Sequence, residues 1–307
     1  MGKDYRLLKD YCELNKIDIR LNEPMSAHTS LRIGGPADFL IIPEQNFLFD
    51  IIEILEKSEI PYTIIGRGTN ILFKDSGIEG AVILTKKIDK IDKLKDDEIS
   101  VQAGCSLKKI INFCSDLGLS GMEGLAGIPG SIGGAIAGNA GSFGFEIKDV
   151  LKSVDLLMPN LEIKILDASE IEFSYRKSVL PDNSIIIRAM LKLKQGDPYS
   201  IKKLVREYAK QKSLKQPISK RSAGCVFKNP AGVSAGELID KAGCKGMRVG
   251  DIEVSRIHAN FFINLGSGTA DDFLRLMDIV VKKVNSYSGI VLEPEIKILG
   301  NGHRRFL

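Results

Sequence analysis

The sequence has no tryptophan and only three histidines, His28, His258 and His303, scattered along 307 residues. Their spacing is not that of metal ligands, and no metal site is expected. Its five cysteines, Cys12, Cys105, Cys114, Cys225 and Cys244, are odd in number and widely spaced, with no C-x-x-C pair. Neither a zinc site nor a disulfide framework is indicated, and a reducing, cytoplasmic setting is expected. No apolar run approaches the ~18–20 residues that cross a bilayer, so no membrane partner is expected. The start, Met1-Gly-Lys-Asp-Tyr5, lacks the apolar core of a signal peptide. Excess charge is also lacking: 43 Lys+Arg stand against 39 Asp+Glu. That balance gives no nucleic-acid footprint, though it leaves room for a local basic pocket. A G-x-x-x-x-G-K-[ST] phosphate loop is absent.

What is present is an ordinary globular composition, 44% hydrophobic and 27% charged. The length suggests about two domains. Residues 1–20 carry Leu7, Leu8, Tyr11 and Leu14 near helical spacing. Residues 39–42, 62–65, 71–73 and 81–84 read as strands, with a helix over 46–57. The charge-rich stretch 86–98 reads as an exposed hairpin or loop. Strands are expected over 99–103, 150–158, 163–166 and 184–193. Between them Leu107, Ile110, Ile111, Cys114 and Leu117 mark one helix face. Beyond Pro198 come a basic helix over 201–213, capping boxes at Ser234 and Thr269, and a closing strand over 291–299. The class is α+β. We expect a helical segment over 1–30, a module over 31–198 in two parts (31–85 and 86–198), and a C-terminal α/β domain over 199–307.

Residues 118–144 hold ten of the 30 glycines, and six of those fall at every third position. A collagen reading fails, because the run is short and holds one proline, Pro129. The tract is also too apolar for a flexible linker. What remains is a sharply turning backbone, either packed against the protein itself or cradling a phosphate-bearing ligand. Gly66-Arg67-Gly68-Thr69-Asn70 follows an expected strand, but Ile71 stands where a dinucleotide fingerprint needs its third glycine. Two separate glycine loops point to a large, extended ligand.

Together, Gly66–Asn70, Gly124-Leu-Ala-Gly-Ile-Pro-Gly-Ser-Ile-Gly-Gly134 and Gly138-Asn-Ala-Gly141 resemble the FAD-binding loops of vanillyl-alcohol-oxidase (PCMH) type flavoproteins. Ser174-Tyr-Arg-Lys-Ser178, Ser222-Ala-Gly-Cys-Val-Phe-Lys-Asn-Pro230 and Leu292-Glu-Pro-Glu-Ile296 follow. In that order they resemble the UDP-N-acetylenolpyruvoylglucosamine reductase family of bacterial peptidoglycan synthesis, over about residues 29–299. The resemblance implies FAD held non-covalently in a two-part module, NADPH as reductant, and a UDP-sugar in the C-terminal domain. It implies hydride transfer from flavin N5 to the enolpyruvyl C3, with protonation at C2. FAD contacts are then expected from Gly66, Arg67, Gly68, Thr69 and Asn70, from Gly127, Ile128, Pro129, Gly130, Ser131, Gly133 and Gly134, and from Gly138, Asn139, Ala140 and Gly141. Tyr175, Lys228 and Asn229 are expected at the substrate. The short segment between Tyr175 and Cys225 resembles the compact class, which lacks an extra tyrosine-bearing loop. No obligate protein partner is implied.

Hydride addition to an enolpyruvyl group builds negative charge on its carboxylate, so a cation or donor is needed there and an acid near C2. The resemblance assigns the first task to Arg176 and Glu295, and the second to Cys225, where the family often has serine. Glu293 and Glu295 share a strand face, and only the resemblance selects Glu295. Lys212 and Lys215 could meet a diphosphate, but a solvated helix face is the better reading of them. A flavoprotein oxidase and a non-catalytic nucleotide-sugar binder are the competing readings. Neither needs Arg176, Cys225 and Glu295 in sequence together.

Overall fold

Strands Pro36–Ile42, Ile78–Leu84 and Tyr62–Ile65 are nearly continuous apolar runs, the pattern of strands covered on both faces. In the computed structural model, which describes residues 5–300, they pair in parallel. The expectations for His303, and for the outer ends of the first and last segments, fall outside those residues. Helix Gln45–Lys57 makes the crossover and buries Leu48, Ile51, Ile52 and Leu55 at i, i+3, i+4 and i+7. Each such side chain contributes about 1.5–3 kcal/mol when removed from water. The helix expected over 1–20 stops at Leu14. Lys16 takes a left-handed φ of 54°, and Asp18–Pro24 becomes an antiparallel edge strand on Pro36–Ile42. The open sheet edge claims backbone that the weak helical pattern cannot hold.

A second sheet is wholly antiparallel, in the order Ile163–Asp167, Leu151–Leu157, Ile185–Lys192, Glu98–Gln102, Ile91–Lys93. Helices Leu107–Asp116 and Ile132–Ala137 share its core. The stretch 86–98 is therefore less exposed than its charge suggests. Ile91–Lys93 is an edge strand, and Glu98 is buried against Lys152 Nζ at 2.7 Å.

Helix Pro198–Lys215 opens on Asp197, whose carboxylate accepts the Ser200 N–H. Beyond it, helices Ala235–Lys241 and Ala270–Ser288 pack with the three-stranded sheet of Arg248–Val249, Ile252–Val254 and Phe262–Asn264. The capping box at Thr269 forms with Asp272. The one at Ser234 does not: Asn229 Oδ1 instead accepts the Ala235 N–H at 2.9 Å. The closing strand is only Lys297–Leu299. Pro294 has no N–H to give a ladder, so regular pairing starts after it. Lys297–Leu299 joins Ile71–Phe73 in parallel, which sets Glu295 against Asn70. Leu31, Ile33 and Leu72 enter the C-terminal core, so the first and last parts of the chain share one apolar interior.

Candidate active site

The two glycine loops, some 60 residues apart in sequence, lie against each other. Gly68 has a φ of 62°, and a Cβ there would stand 2.1 Å from the His28 carbonyl oxygen. Thr69 Oγ1 donates to the Pro129 carbonyl at 3.2 Å, tying loop to loop. Arg67 Nε donates to the Gly104 carbonyl at 3.4 Å. The strand bridge between Ser106 and Ser131 carries Gly130 beside the second sheet, and Ser131 Oγ accepts the Gly134 N–H at the start of helix Ile132–Ala137.

Gly118, Gly121 and Gly124 are used internally: a Cβ at Gly124 would lie 2.1 Å from the Phe145 ring. The first half of the tract is thus packing. In the second half Gly134 meets only an ordinary contact, Ser131 Oγ at 3.6 Å. A helical glycine costs about 0.5–1 kcal/mol relative to alanine, and nothing in the chain requires this one. Nearby, Asn139 is fully buried with a φ of 39°. Its Nδ2 donates to the Ser174 carbonyl at 3.1 Å and to Glu146 Oε2 at 3.2 Å, while its Oδ1 has no donor among the described residues. Backbone kept bare beside an acceptor awaiting a donor fits a closely seated dinucleotide. Gly66–Asn70 and Gly127–Gly134 could hold it, with Gly138–Gly141 at the end of the helix.

Four side chains from distant segments meet beside this cradle. Arg176 sits at the tip of the hairpin Glu172–Ser174/Lys177–Val179, with a left-handed φ of 57°. That backbone state is costly for arginine and persists only where its surroundings impose it. Arg176 Nε stands 2.9 Å from Glu295 Oε1. The approach is foremost a charge contact: among the described residues the buried Nε–H has no acceptor well aligned with it. Glu295 is shielded from water, and that desolvation raises its carboxyl above the usual range, although Arg176 opposes the rise.

Glu295 N–H donates to the Val226 carbonyl at 2.8 Å, which brings Cys225 alongside. Cys225 keeps partial exposure as a residue, but dense protein surrounds its thiol. Burial, and then the nearby Glu295 charge, push the thiol up to about 12. It therefore stays protonated at neutral pH.

Lys212 departs from its expected place on a solvated face. It is only 5% exposed, and its ammonium lies 5.6 Å from the centre of the Phe143 ring. Burial, and then Arg176, lower it to about 8. Among the described residues it forms no ion pair with a carboxylate. The helix of 198–215 carries lysine or arginine on several faces, and no spacing marked this one.

Tyr175, Lys228 and Asn229 lie next to this cluster with uneven freedom. The Tyr175 hydroxyl accepts the Asn229 N–H at 3.4 Å, and its ring lies 5.2 Å from Arg176 Cζ. Asn229 Oδ1 is engaged in its helix cap, leaving the amide Nδ2. Lys228 Nζ reaches Glu293 at 3.5 Å on the surface. The side chain of Glu293 is 75% exposed and that of Glu295 18%, which separates two carboxylates that the sequence left equivalent. No group of three or more His, Cys, Asp or Glu among the described residues is placed to hold a metal, and no helix there is long and apolar enough to cross a membrane.

Residues 41–167 match an FAD binding domain, and residues 216–299 match the C-terminal domain of UDP-N-acetylenolpyruvoylglucosamine reductase. The reductase of that name from Caldanaerobacter subterraneus subsp. tengcongensis is 42% identical over 282 residues, 91% of this chain and 93% of the relative. The chain belongs to the UDP-N-acetylenolpyruvoylglucosamine reductase family. A Lactococcus lactis subsp. cremoris member is 40% identical over 92% of this chain and 95% of its own. The crystal structure of the Thermus caldophilus reductase superposes with a TM-score of 0.78 at 36% identity, covering 92% of this chain and 98% of that one. The α+β class and the FAD-binding module implied by the sequence resemblance stand, and the chain is an FAD-dependent oxidoreductase.

Proposed function

We propose that this chain reduces the enolpyruvyl group of UDP-N-acetylglucosamine enolpyruvate to UDP-N-acetylmuramate, using NADPH, in the cytoplasmic supply of peptidoglycan precursor. When bound, FAD supplies the hydride, taken from NADPH and delivered from N5 to the enolpyruvyl C3. The chain's own residues handle the charge and the proton. Arg176 offers a planar fork to the substrate carboxylate, and its unpartnered Nε–H is a donor ready for an oxygen. Glu295, with its carboxyl raised by burial, can share a proton at that carboxylate rather than repel it. Lys212 adds a second cation as negative charge builds. The Cys225 thiol gives its proton to C2, and the thiolate then recovers one from water.

Division of the chain at residues 31 and 198 belongs to the same reading. The early part would hold FAD and the part after 198 the UDP-sugar, with Tyr175, Lys228 and Asn229 at its phosphates or sugar. The observation that carries the proposal is the meeting of Arg176, Glu295 and Cys225 beside the glycine cradle. An anaerobic stopped-flow trace tests it. Protein reduced with NADPH should be reoxidised stoichiometrically by the UDP-enolpyruvyl sugar. A flavin that stays reduced until air is admitted would sink this reading.

A further inference from the structure

The turn that carries Arg176 is tied down at both flanks by one short piece of chain, residues 136–139. Two residues before Arg176, the Ser174 carbonyl accepts from Asn139 Nδ2 at 3.1 Å. Two residues after it, Ser178 Oγ donates to the Ile136 carbonyl. Ile136 lies in the last turn of the glycine-rich helix Ile132–Ala137, and Asn139 stands just past its end. The same Asn139 amide holds Glu146 Oε2 at 3.2 Å, and the Glu146 carboxylate acts electrostatically on Arg176. Both partners of Nδ2 are acceptors, so the orientation of the amide is fixed by chemistry. The Oδ1 has no donor among the described residues.

Arginine at a φ of 57° does not stay there unaided. The pairing of Glu172–Ser174 with Lys177–Val179 closes the turn, and the ties at its flanks set where it points. We propose that Asn139 is the positioning residue that holds the Arg176 turn, and through it the guanidinium, in register with the end of the cofactor cradle. Its Nδ2 fixes the turn and its charged neighbour. Because Asn139 follows directly on the glycine-rich helix, the same residue links cofactor loop and substrate-facing cation. As a statement about turnover the proposal rests on the reductase reading. As a statement about the turn it does not.

The test uses the full-length FAD-loaded protein, with Asn139→Ala and the isosteric Asn139→Asp. The second substitution turns a carboxylate oxygen toward two acceptors, so loss of the donor is separated from loss of volume. Hydrogen exchange of the Glu172–Val179 amides is read first. It should quicken about tenfold in Asn139→Ala, the scale of one lost hydrogen bond, and at least as much in Asn139→Asp. Rates are read per bound flavin at saturating FAD, because Asn139 also stands at the end of the cradle. On that basis the rate of flavin reduction by NADPH should hold within about twofold. Reoxidation by the UDP-enolpyruvyl sugar should fall by about 10²-fold, as for a reacting group misplaced by about 1 Å. Unchanged exchange in the hairpin overturns the proposal, whatever happens to turnover. Loss of FAD with an unchanged hairpin overturns it as well, by making Asn139 a cradle residue alone. If Asn139→Ala does not fold, Ser178→Ala removes the other tie and must quicken the same amides; if it leaves them unchanged, the clamp is refuted. A wild-type protein that is not reoxidised by the sugar refutes the reductase reading instead, while the exchange result still decides the clamp.

Discussion

The cradle and the charged cluster touch each other, yet they are held in opposite ways. The cradle is built mainly on backbone, with Gly68 against the His28 carbonyl and the Thr69 hydroxyl on the Pro129 carbonyl. The cluster is side chain against side chain, from residues 176, 212, 225 and 295, with each group partly stripped of water. Packing free energy in the cradle goes into shape. In the cluster it offsets the cost of keeping two cations and one carboxyl close together while the Arg176 Nε–H lacks a hydrogen-bond acceptor among the described residues. Burial without full pairing is a cost that a purely structural site removes, which supports the proposal that the cluster is the chemical half.

The sharpest way to break that contrast is Arg176→Ala. It should leave flavin absorbance intact and lower kcat/KM for the UDP-enolpyruvyl sugar by about 10³-fold, as for loss of a principal charge-stabilising donor. Steady-state kinetics beside a flavin spectrum checks it. Equal loss of flavin would show that the two halves are not separable.

Cys225 comes next. Cys225→Ala should cost about 10²-fold in the rate of product formation, within the range for removing a general acid. Cys225→Ser should retain most of it. Because the thiol is pushed up to about 12, the wild-type protein should resist iodoacetamide at pH 8. Fast alkylation would contradict the burial argument.

On the cradle side, Gly68→Ala places a Cβ 2.1 Å from a carbonyl oxygen that cannot rotate away, at a positive φ. A destabilisation of about 1–3 kcal/mol is expected from overpacking, with loss of FAD on gel filtration. Here flavin content and activity should fall together, the reverse of Arg176→Ala.

Lys212 sharpens the comparison through pH. Its folded value of about 8 lies below its ordinary 10.5. The folded state therefore binds this proton less well, and the contribution to stability is full above pH 10.5 and lost as pH falls through 8. Lys212→Met should raise Tm at pH 7 and give no gain near pH 10.5. The same variant should lower kcat/KM about tenfold at pH 7, since only the ammonium serves a developing negative charge. In the wild type a limb should appear as pH rises through about 8, and Lys212→Arg should remove it. A Lys212→Met variant that loses both stability and activity at pH 7 would make the residue mere packing.

The same division explains what the sequence disclosed. The cradle was legible because its signal is local: a Cβ is missing at many neighbouring positions, and close approach of backbone needs that wherever the partner lies. Even there, the sequence could not divide the tract, since Gly124 is emptied by Phe145 and Gly134 by nothing in the chain. The cluster was legible only through resemblance. Arg176, Cys225 and Glu295 have no mutual spacing, and they meet because Lys297–Leu299 returns to pair with Ile71–Phe73. Lys212 was misplaced onto a solvated face because helical periodicity reports the apolar stripe, and a buried cation interrupts that stripe. Asn139 was expected at FAD for its place among glycines, while its side-chain donors turned out to serve the Arg176 turn. The edge strand Asp18–Pro24 was missed for a related reason: what decides it is an open edge on Pro36–Ile42, which no local pattern in residues 1–20 records.

The smallest expected effect is also the most discriminating between neighbours. Glu293 and Glu295 are two residues apart, carry the same charge, and differ in what surrounds them. Glu293 pairs with Lys228 at 3.5 Å in solvent, a contact worth little. Glu293→Gln should therefore change kcat/KM by no more than about twofold and leave its pH profile alone. Glu295→Gln removes a carboxyl raised by burial and takes a counter-charge from Arg176. It should cut turnover by about 10²-fold or more, on the scale of a lost acid–base partner. Its stability effect has the opposite sign to that of activity at neutral pH. A raised carboxyl contributes stability below its ordinary pKa of 4.5 and loses it as pH rises through the raised value, so a neutral glutamine relieves a cost near pH 7. Thermal melts of Glu295→Gln at pH 4 and pH 7 should differ from wild type chiefly at pH 7. If Glu293→Gln proved the more damaging of the two, exposure would have failed as the criterion that tells the chemical carboxylate from the solvated one.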